Sequence, residues 1–123
     1  MQIKYIEWLD INTREACVAI AEENIELYCF SHPCFEHKGE CTNGEIHCLN
    51  AHNIVRSNDK EVFVERLGEF GYKICGLFSR NSCTVTLLEK LVLYLDDAYV
   101  ANDIQDGDYI EFIVDRLDLF SST

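Results

Sequence analysis

Proline is nearly absent from this chain: Pro33 is the only one in 123 residues. No stretch rich in glycine, serine or proline interrupts the sequence, so nothing marks a linker or boundary. Residues 1–123 read as a single domain. Basic residues are also scarce, with ten lysines and arginines against 22 aspartates and glutamates and a formal net charge of −12. A surface of that sign repels phosphate backbones and anionic membranes, which makes nucleic acid a poor partner. It attracts a basic protein instead, in an association that weakens as salt rises. Long apolar runs are missing too. None approaches the roughly 20 residues that cross a bilayer. Met1–Trp8 lacks the basic start, long apolar stretch and small-residue cleavage site of a secretory signal, so the expected location is the cytoplasm.

What is present is an ordinary hydrophobic complement, 48% of residues, in a chain long enough to bury a core without staples. Seven cysteines are many, and an odd number. Cys17, Cys29, Cys48, Cys75 and Cys83 fall within apolar or alternating segments, where a free thiol behaves as a small buried hydrophobe. Without an export signal, a disulfide framework is not expected.

Apolar alternation with a period of two recurs along the chain and predicts strands. Ile3–Leu9 comes first, then Ala16, Val18 and Ile20, then Ile25–Phe30. Ser31–Gly44 is polar and irregular. Glu45–Ile54 reads as one strand. Val62–Leu67 and Tyr72–Phe78 form a hairpin around Gly68–Gly71. Cys83, Val85 and Leu87 alternate with Thr84 and Thr86, and Leu91, Leu93 and Leu95 follow a Glu89-Lys90 turn. Thr13–Asn24 also suits a helix. So does Thr86–Asp97, where Thr86-Leu-Leu-Glu89 matches a capping box. Strands are favoured in both.

The final stretch is the most regular. Ile104 can plug a core. Gln105-Asp106-Gly107 makes a turn closed by glycine, and Asp108 can hydrogen-bond the turned backbone. Ile110, Phe112 and Val114 then share a face. Leu117 and Leu119 have the opposite parity, which predicts a bulge near Asp115-Arg116. The Asp-Ile-x-x-Gly-Asp-x-Ile-x-Phe motif from Asp103 to Phe112, closing a succession of short strands, resembles OB-type and related small β-barrels at the level of fold, with no specific family identified. The resemblance implies a mainly β fold: a small antiparallel OB-like β-barrel with, at most, one short helix. OB folds commonly bind oligonucleotides on basic, aromatic-studded faces. The basic residues here are too few and scattered to match that pattern.

One local segment carries metal-compatible chemistry. His32, Cys34, His37 and Cys41 lie within ten residues and are all zinc-compatible ligands, with His47, Cys48 and His52 just beyond. Their intervening spacings of one, two and three differ from the paired knuckles of closed zinc sites, so the competing reading is a surface loop fixed by Pro33. A zinc- or redox-responsive module is therefore an alternative, and no cofactor is expected. No phosphate-cradling loop, nucleophile elbow or metalloprotease motif occurs, so the chain does not read as an enzyme. The leading expectation is a non-catalytic, acidic protein-binding domain, of inhibitor or immunity type, masking a basic partner. The expected contacts are Phe35, an aromatic in a polar loop, with Glu36, Glu40, Asp96 and Asp97. An OB-like nucleic-acid binder, using Lys60, Arg66, Lys73 and Arg80, is the third reading.

Overall fold

A period of two puts alternate side chains on opposite faces, and a segment that follows it can bury one face while wetting the other. The computed structural model describes residues 1–121, in which eleven strands and no helix occur. They are β1 (Gln2–Asp10), β2 (Glu15–Glu22), β3 (Ile25–Ser31), β4 (Glu45–Leu49), β5 (His52–Arg56), β6 (Phe63–Leu67), β7 (Gly71–Ser79), β8 (Thr84–Leu88), β9 (Leu91–Tyr94), β10 (Tyr109–Val114) and β11 (Arg116–Phe120). Both segments that could have been helical are hairpin strands: Thr13–Asn24 contains β2, and Thr86–Asp97 contains the β8–β9 turn. Burial follows the alternation, as in β3, where Ile25, Leu27, Cys29 and Ser31 are buried and Glu26 is exposed.

All eleven strands belong to one mixed sheet in the order β1-β2-β3-β11-β4-β9-β8-β7-β10-β5, with β6 attached to β7. The expected closed antiparallel barrel is not what the pairing forms. The path ends at β1 and β5, so the sheet is open, and β3·β11 and β4·β9 run parallel. Those parallel neighbours lie far apart in sequence. Alternation fixes which side chains face inward, and leaves open which strand lies alongside.

β7 organises the sheet. On one side it pairs with β10 over Tyr72–Leu77; on the other it pairs first with β6 over Gly71–Cys75 and then with β8 over Leu77–Ser79. Gly76 sits at the changeover. A Cβ there would lie 2.5 Å from Val85 Cγ1, 2.8 Å from Leu87 Cδ2 and 3.0 Å from the Thr86 carbonyl oxygen. Glycine thus lets β8 close on the strand, the close approach that a glycine in an apolar run suggests. From the same strand, buried Tyr72 reaches across to β3, where its hydroxyl accepts the Tyr28 N–H at 2.9 Å. Backbone pairing of β3 with β11 is confined to Phe30 and Asp118, and the tyrosine satisfies a donor beyond it.

Two kinks are coupled. The expected single strand Glu45–Ile54 breaks at Asn50, whose φ of 55° is left-handed, a conformation asparagine tolerates. Asn50 Nδ2 donates to Asp115 Oδ2 at 2.9 Å, and the Asp115 N–H donates to the Leu49 carbonyl. Asp115 is the residue between β10 and β11 where the buried face switches from Val114 to Leu117, as the parity change predicts. Ile104 is buried, Gly107 has a φ of +86°, and Asp108 accepts the Gln105 N–H, so the terminal turn forms as expected. Cys17, Cys29, Cys34, Cys48 and Cys75 are buried free thiols, Cys83 is half-buried and Cys41 is exposed.

Gly76→Ala should lower stability by about 1–3 kcal/mol, because overpacking forces β8 outward. Tyr72→Phe should cost about 1–2 kcal/mol by orphaning the Tyr28 donor. Urea unfolding of the variants beside wild type measures both. An unchanged midpoint for Gly76→Ala would refute the close-approach account.

Candidate functional site

The segment joining β3 to β4 contains most of the side chains that sequence reasoning singled out. It is pinned at both ends. Ser31 Oγ donates to the Leu119 carbonyl, and Ile3 exchanges backbone hydrogen bonds with Gly39 and Glu40. In between, the Cys34 N–H donates to the Arg14 carbonyl at 2.7 Å while Arg14 Nε donates to the Cys34 carbonyl at 2.8 Å. This reciprocal clamp sets the Arg14 guanidinium 4.8 Å from the centre of the Phe35 ring and 5.4 Å from that of Trp8. Phe35 remains exposed, and its N–H donates to Ser121 Oγ.

The acidic members of the predicted contact set separate. Glu36 is turned inward: it is buried and accepts Thr42 Oγ1 at 2.9 Å, and Thr42 Oγ1 in turn accepts the Gly44 N–H. It braces the loop. Glu40 is exposed. Asp96 and Asp97, also exposed, lie in the turn after β9 and share a shallow groove with Asn50, Leu95 and the exposed Tyr99.

The four zinc-compatible residues do not converge. Cys34 is fully buried against the Arg14 clamp, whereas His32, His37 and Cys41 are exposed. Among the described residues, no three His, Cys, Asp or Glu side chains group as a metal-ligand set. The core thiols are equally unsuited to nucleophilic work. Burial pushes Cys48 up to about 12 and Cys29 further, far from the thiolate that reacts near neutrality.

The groups that do converge lie on the outer face of β4, β9 and β11. His47 stands at their centre and is largely buried. Its Nδ1 meets the Asp96 carboxylate at 2.7 Å and its Nε2 meets Glu45 Oε1 at 3.0 Å. Its ring stacks on Tyr94 with centroids 4.9 Å apart and receives Phe120 edge-on at 4.8 Å. Phe120 is half-exposed, and beside this cluster Arg116 forms a two-pronged pair with Asp118 while lying 4.2 Å from the Phe30 ring. Contacts therefore run continuously from Trp8 through Arg14 and Phe35 to Ser121, Phe120, His47 and Tyr94. The result is an aromatic band with Glu45 and Asp96 beside its His47 end.

Sequence reading missed His47, Glu45 and Phe120 as members of this band. His47 and Asp96 are 49 residues apart in sequence. Only the register that sets His47 opposite both Asp118 of β11 and Tyr94 of β9 brings them together. The one available signal was the outward parity of Glu45, His47 and Leu49.

The chain matches no protein-family model, no curated protein and no solved structure. No helix among the described residues is long and apolar enough to cross a membrane.

Partial burial works against a charged His47 ring, and its hydrogen bonds and attraction to Glu45 and Asp96 outweigh it, so its pKa is raised above 6.5. The folded state thus favours the imidazolium. That contribution to stability is complete below about pH 6.5 and is lost as pH rises through the raised folded value. A proton NMR titration should place the His47 midpoint above 6.5, with Asp96→Asn lowering it. His47→Gln should remove that part of the pH dependence of urea unfolding. A wild-type midpoint at or below 6.5 would contradict the carboxylate clamp.

Proposed function

We propose that this protein is a non-catalytic acidic binding domain that engages a basic protein, in the manner of an inhibitor or immunity protein masking a cationic partner. The observation that carries this reading is the fate of the arginines. All five are committed to the protein's own groups. Arg14 holds the Cys34 carbonyl, Arg56 pairs with Asp108, and Arg66 holds the Glu69 carbonyl; Arg80 holds the Ala101 and Ile104 carbonyls, and Arg116 pairs with Asp118. Lys73 is paired with Glu111. What remains free at the surface is mostly carboxylate.

This distribution favours a cationic protein over a phosphate backbone. The basic strip that an OB-like nucleic-acid reading needs, Lys60, Arg66, Lys73 and Arg80, has three of its four members already engaged. The aromatic band supplies what charge alone lacks. Phe120, opposite Glu45, and Tyr99, in one groove with Asp96 and Asp97, are exposed anchors, the combination of apolar centre and charged rim that interfaces use. Carboxylates next to aromatic faces also suit a partner lysine or arginine, which ring and acid attract together.

Affinity capture with the immobilised protein at low and high salt, followed by mass spectrometry, tests the reading. The expected partner is a basic protein released by salt. Phe120→Ala should weaken capture by about 1–3 kcal/mol if the ring is an interface anchor. Asp96→Lys with Asp97→Lys should slow association most at low ionic strength. Recovery of no specific partner, or of one indifferent to salt and to both changes, would sink the proposal.

A further inference from the structure

Both terminal strands of the open sheet carry register shifts: those of β1 fall between Ile3 and Tyr5 and between Trp8 and Asp10, and leave Tyr5–Trp8 regular. β5 is short, and Asn53 at a φ of 54° falls within it, where its pairing with β10 shifts register. That is one of the ways proteins blunt a sheet edge. β1 is nine residues long and carries exposed Tyr5, Trp8 and Leu9, with Ile11 exposed in the following turn. Beyond β2, the backbone neighbour it has among the described residues is the segment around Gly39–Thr42, which covers Met1, Gln2 and Ile3.

The orientation of the uncovered backbone follows from the ladders. Tyr28 turns its N–H away from β2, towards Tyr72, so the opposite residue Ala19 turns its own groups towards β1. In an antiparallel ladder, pairs alternate between bonded and non-bonded. Tyr5↔Ala19 and Glu7↔Cys17 are then the bonded pairs, and Ile6↔Val18 and Trp8↔Ala16 are the non-bonded ones. Ile6 and Trp8 therefore turn their N–H and C=O groups outward, and neither main chain receives a hydrogen bond among the described residues. Four backbone groups stand ready in one regular stretch, next to exposed aromatic and aliphatic side chains.

We infer that the outer edge of β1 from Tyr5 to Trp8 is a strand-addition site that takes an extended, lysine- or arginine-bearing segment of another protein. The inference rests on the basic-partner reading above and assigns it a binding mode. An added strand would gain main-chain hydrogen bonds at Ile6 and Trp8, with alternate side chains against Tyr5 on one face and Ile6 and Trp8 on the other. Glu7 and Asp10 carry the charge that selects it: neither carboxylate has a cationic partner among the described residues. A cross-strand lysine beside them is favourable and a glutamate is not.

The same geometry argues against a second copy as the occupant. The antiparallel register that uses Ile6 and Trp8 of both copies pairs Ile6 with Trp8 and sets Glu7 directly opposite its counterpart. That is a non-hydrogen-bonded position, where side chains approach most closely. Two chains of net charge −12 would meet there.

Residue-resolved hydrogen exchange on the intact protein tests this, with a synthetic peptide of alternating lysine and valine as probe and its glutamate–valine counterpart as control. In the free protein Ile6 and Trp8 amides should exchange rapidly while Tyr5 and Glu7 are protected. The lysine peptide should slow Ile6 and Trp8 by about tenfold or more, and the glutamate peptide should leave them unchanged. Trp8→Pro, which removes an outward N–H without touching the β2 ladder, should abolish that binding, whereas Trp8→Ala should only weaken it. Lysine-peptide binding that leaves both amides unprotected would overturn the edge assignment and leave the basic-partner reading standing. Equal protection by both peptides would overturn the cationic assignment here and the basic-partner reading with it. Protection in the free protein that grows with its concentration would show that a second copy occupies the edge and would overturn the inference.

Discussion

Every strand in this fold must satisfy its backbone on both sides or leave it to water, and β7 is where that requirement is met most densely. It has three strand neighbours, and one side is divided between β6 and β8 at Gly76. The division lets a sheet of eleven strands curl around a single apolar cluster to which Ile3 of β1 and Leu119 of β11 both belong. Where the curl brings β7 opposite β3 and strand pairing runs out, the Tyr72 hydroxyl takes over from a backbone acceptor. A side chain thus does locally what another ladder would do, which is how an open sheet encloses its core.

The aromatic, acid-rimmed face depends on the same curl. Once β11 lies between β3 and β4, with β9 beyond, the outward residues of four strands form one surface. Charge on that surface is sorted as it forms. Arginines pair with nearby carboxylates and carbonyls or stack on Phe30 and Phe35. His47, when protonated, neutralises part of the Asp96 and Glu45 pair from within. The excess acid is left outward, beside rings that have no further role in the core.

Local features were legible in the sequence and long-range ones were not. The Gln105–Asp108 turn, the parity switch at Asp115 (a break between β10 and β11 rather than the expected bulge), the hairpins around Gly68–Gly71 and Glu89–Lys90, and the close approach at Gly76 all rest on one residue's conformational limits or on alternation within one segment. Openness of the sheet does not. It depends on β11 seating itself parallel to β3, a choice made by residues about 90 positions apart, as Phe30 and Asp118 are. Phe35 was readable as an exposed aromatic because its neighbours are polar. Glu36, one residue further on, was not readable as a buried brace, because its partner Thr42 reaches it only through the fold of the loop. His47 failed for the same reason: Glu45 is two residues away on its own strand, but Asp96 arrives only by strand register.

Net charge and the free edge explain each other. An uncovered strand with exposed Tyr5, Trp8 and Leu9 is an aggregation hazard in a neutral protein, because copies can pair edge to edge. A chain at −12 repels its own copies, and Glu7 sets that repulsion within the one register that would use both outward residues. Repulsion between like charges protects the edge without covering it. The register shifts of β1 flank Tyr5–Trp8 and leave that stretch regular, whereas the Asn53 break falls inside the pairing of β5. Acidity acts by sign: it opposes copies of the chain and anionic polymers and leaves the backbone open to a cationic strand. In the proposed reading, the charge that opposes self-association is also the charge that selects a partner.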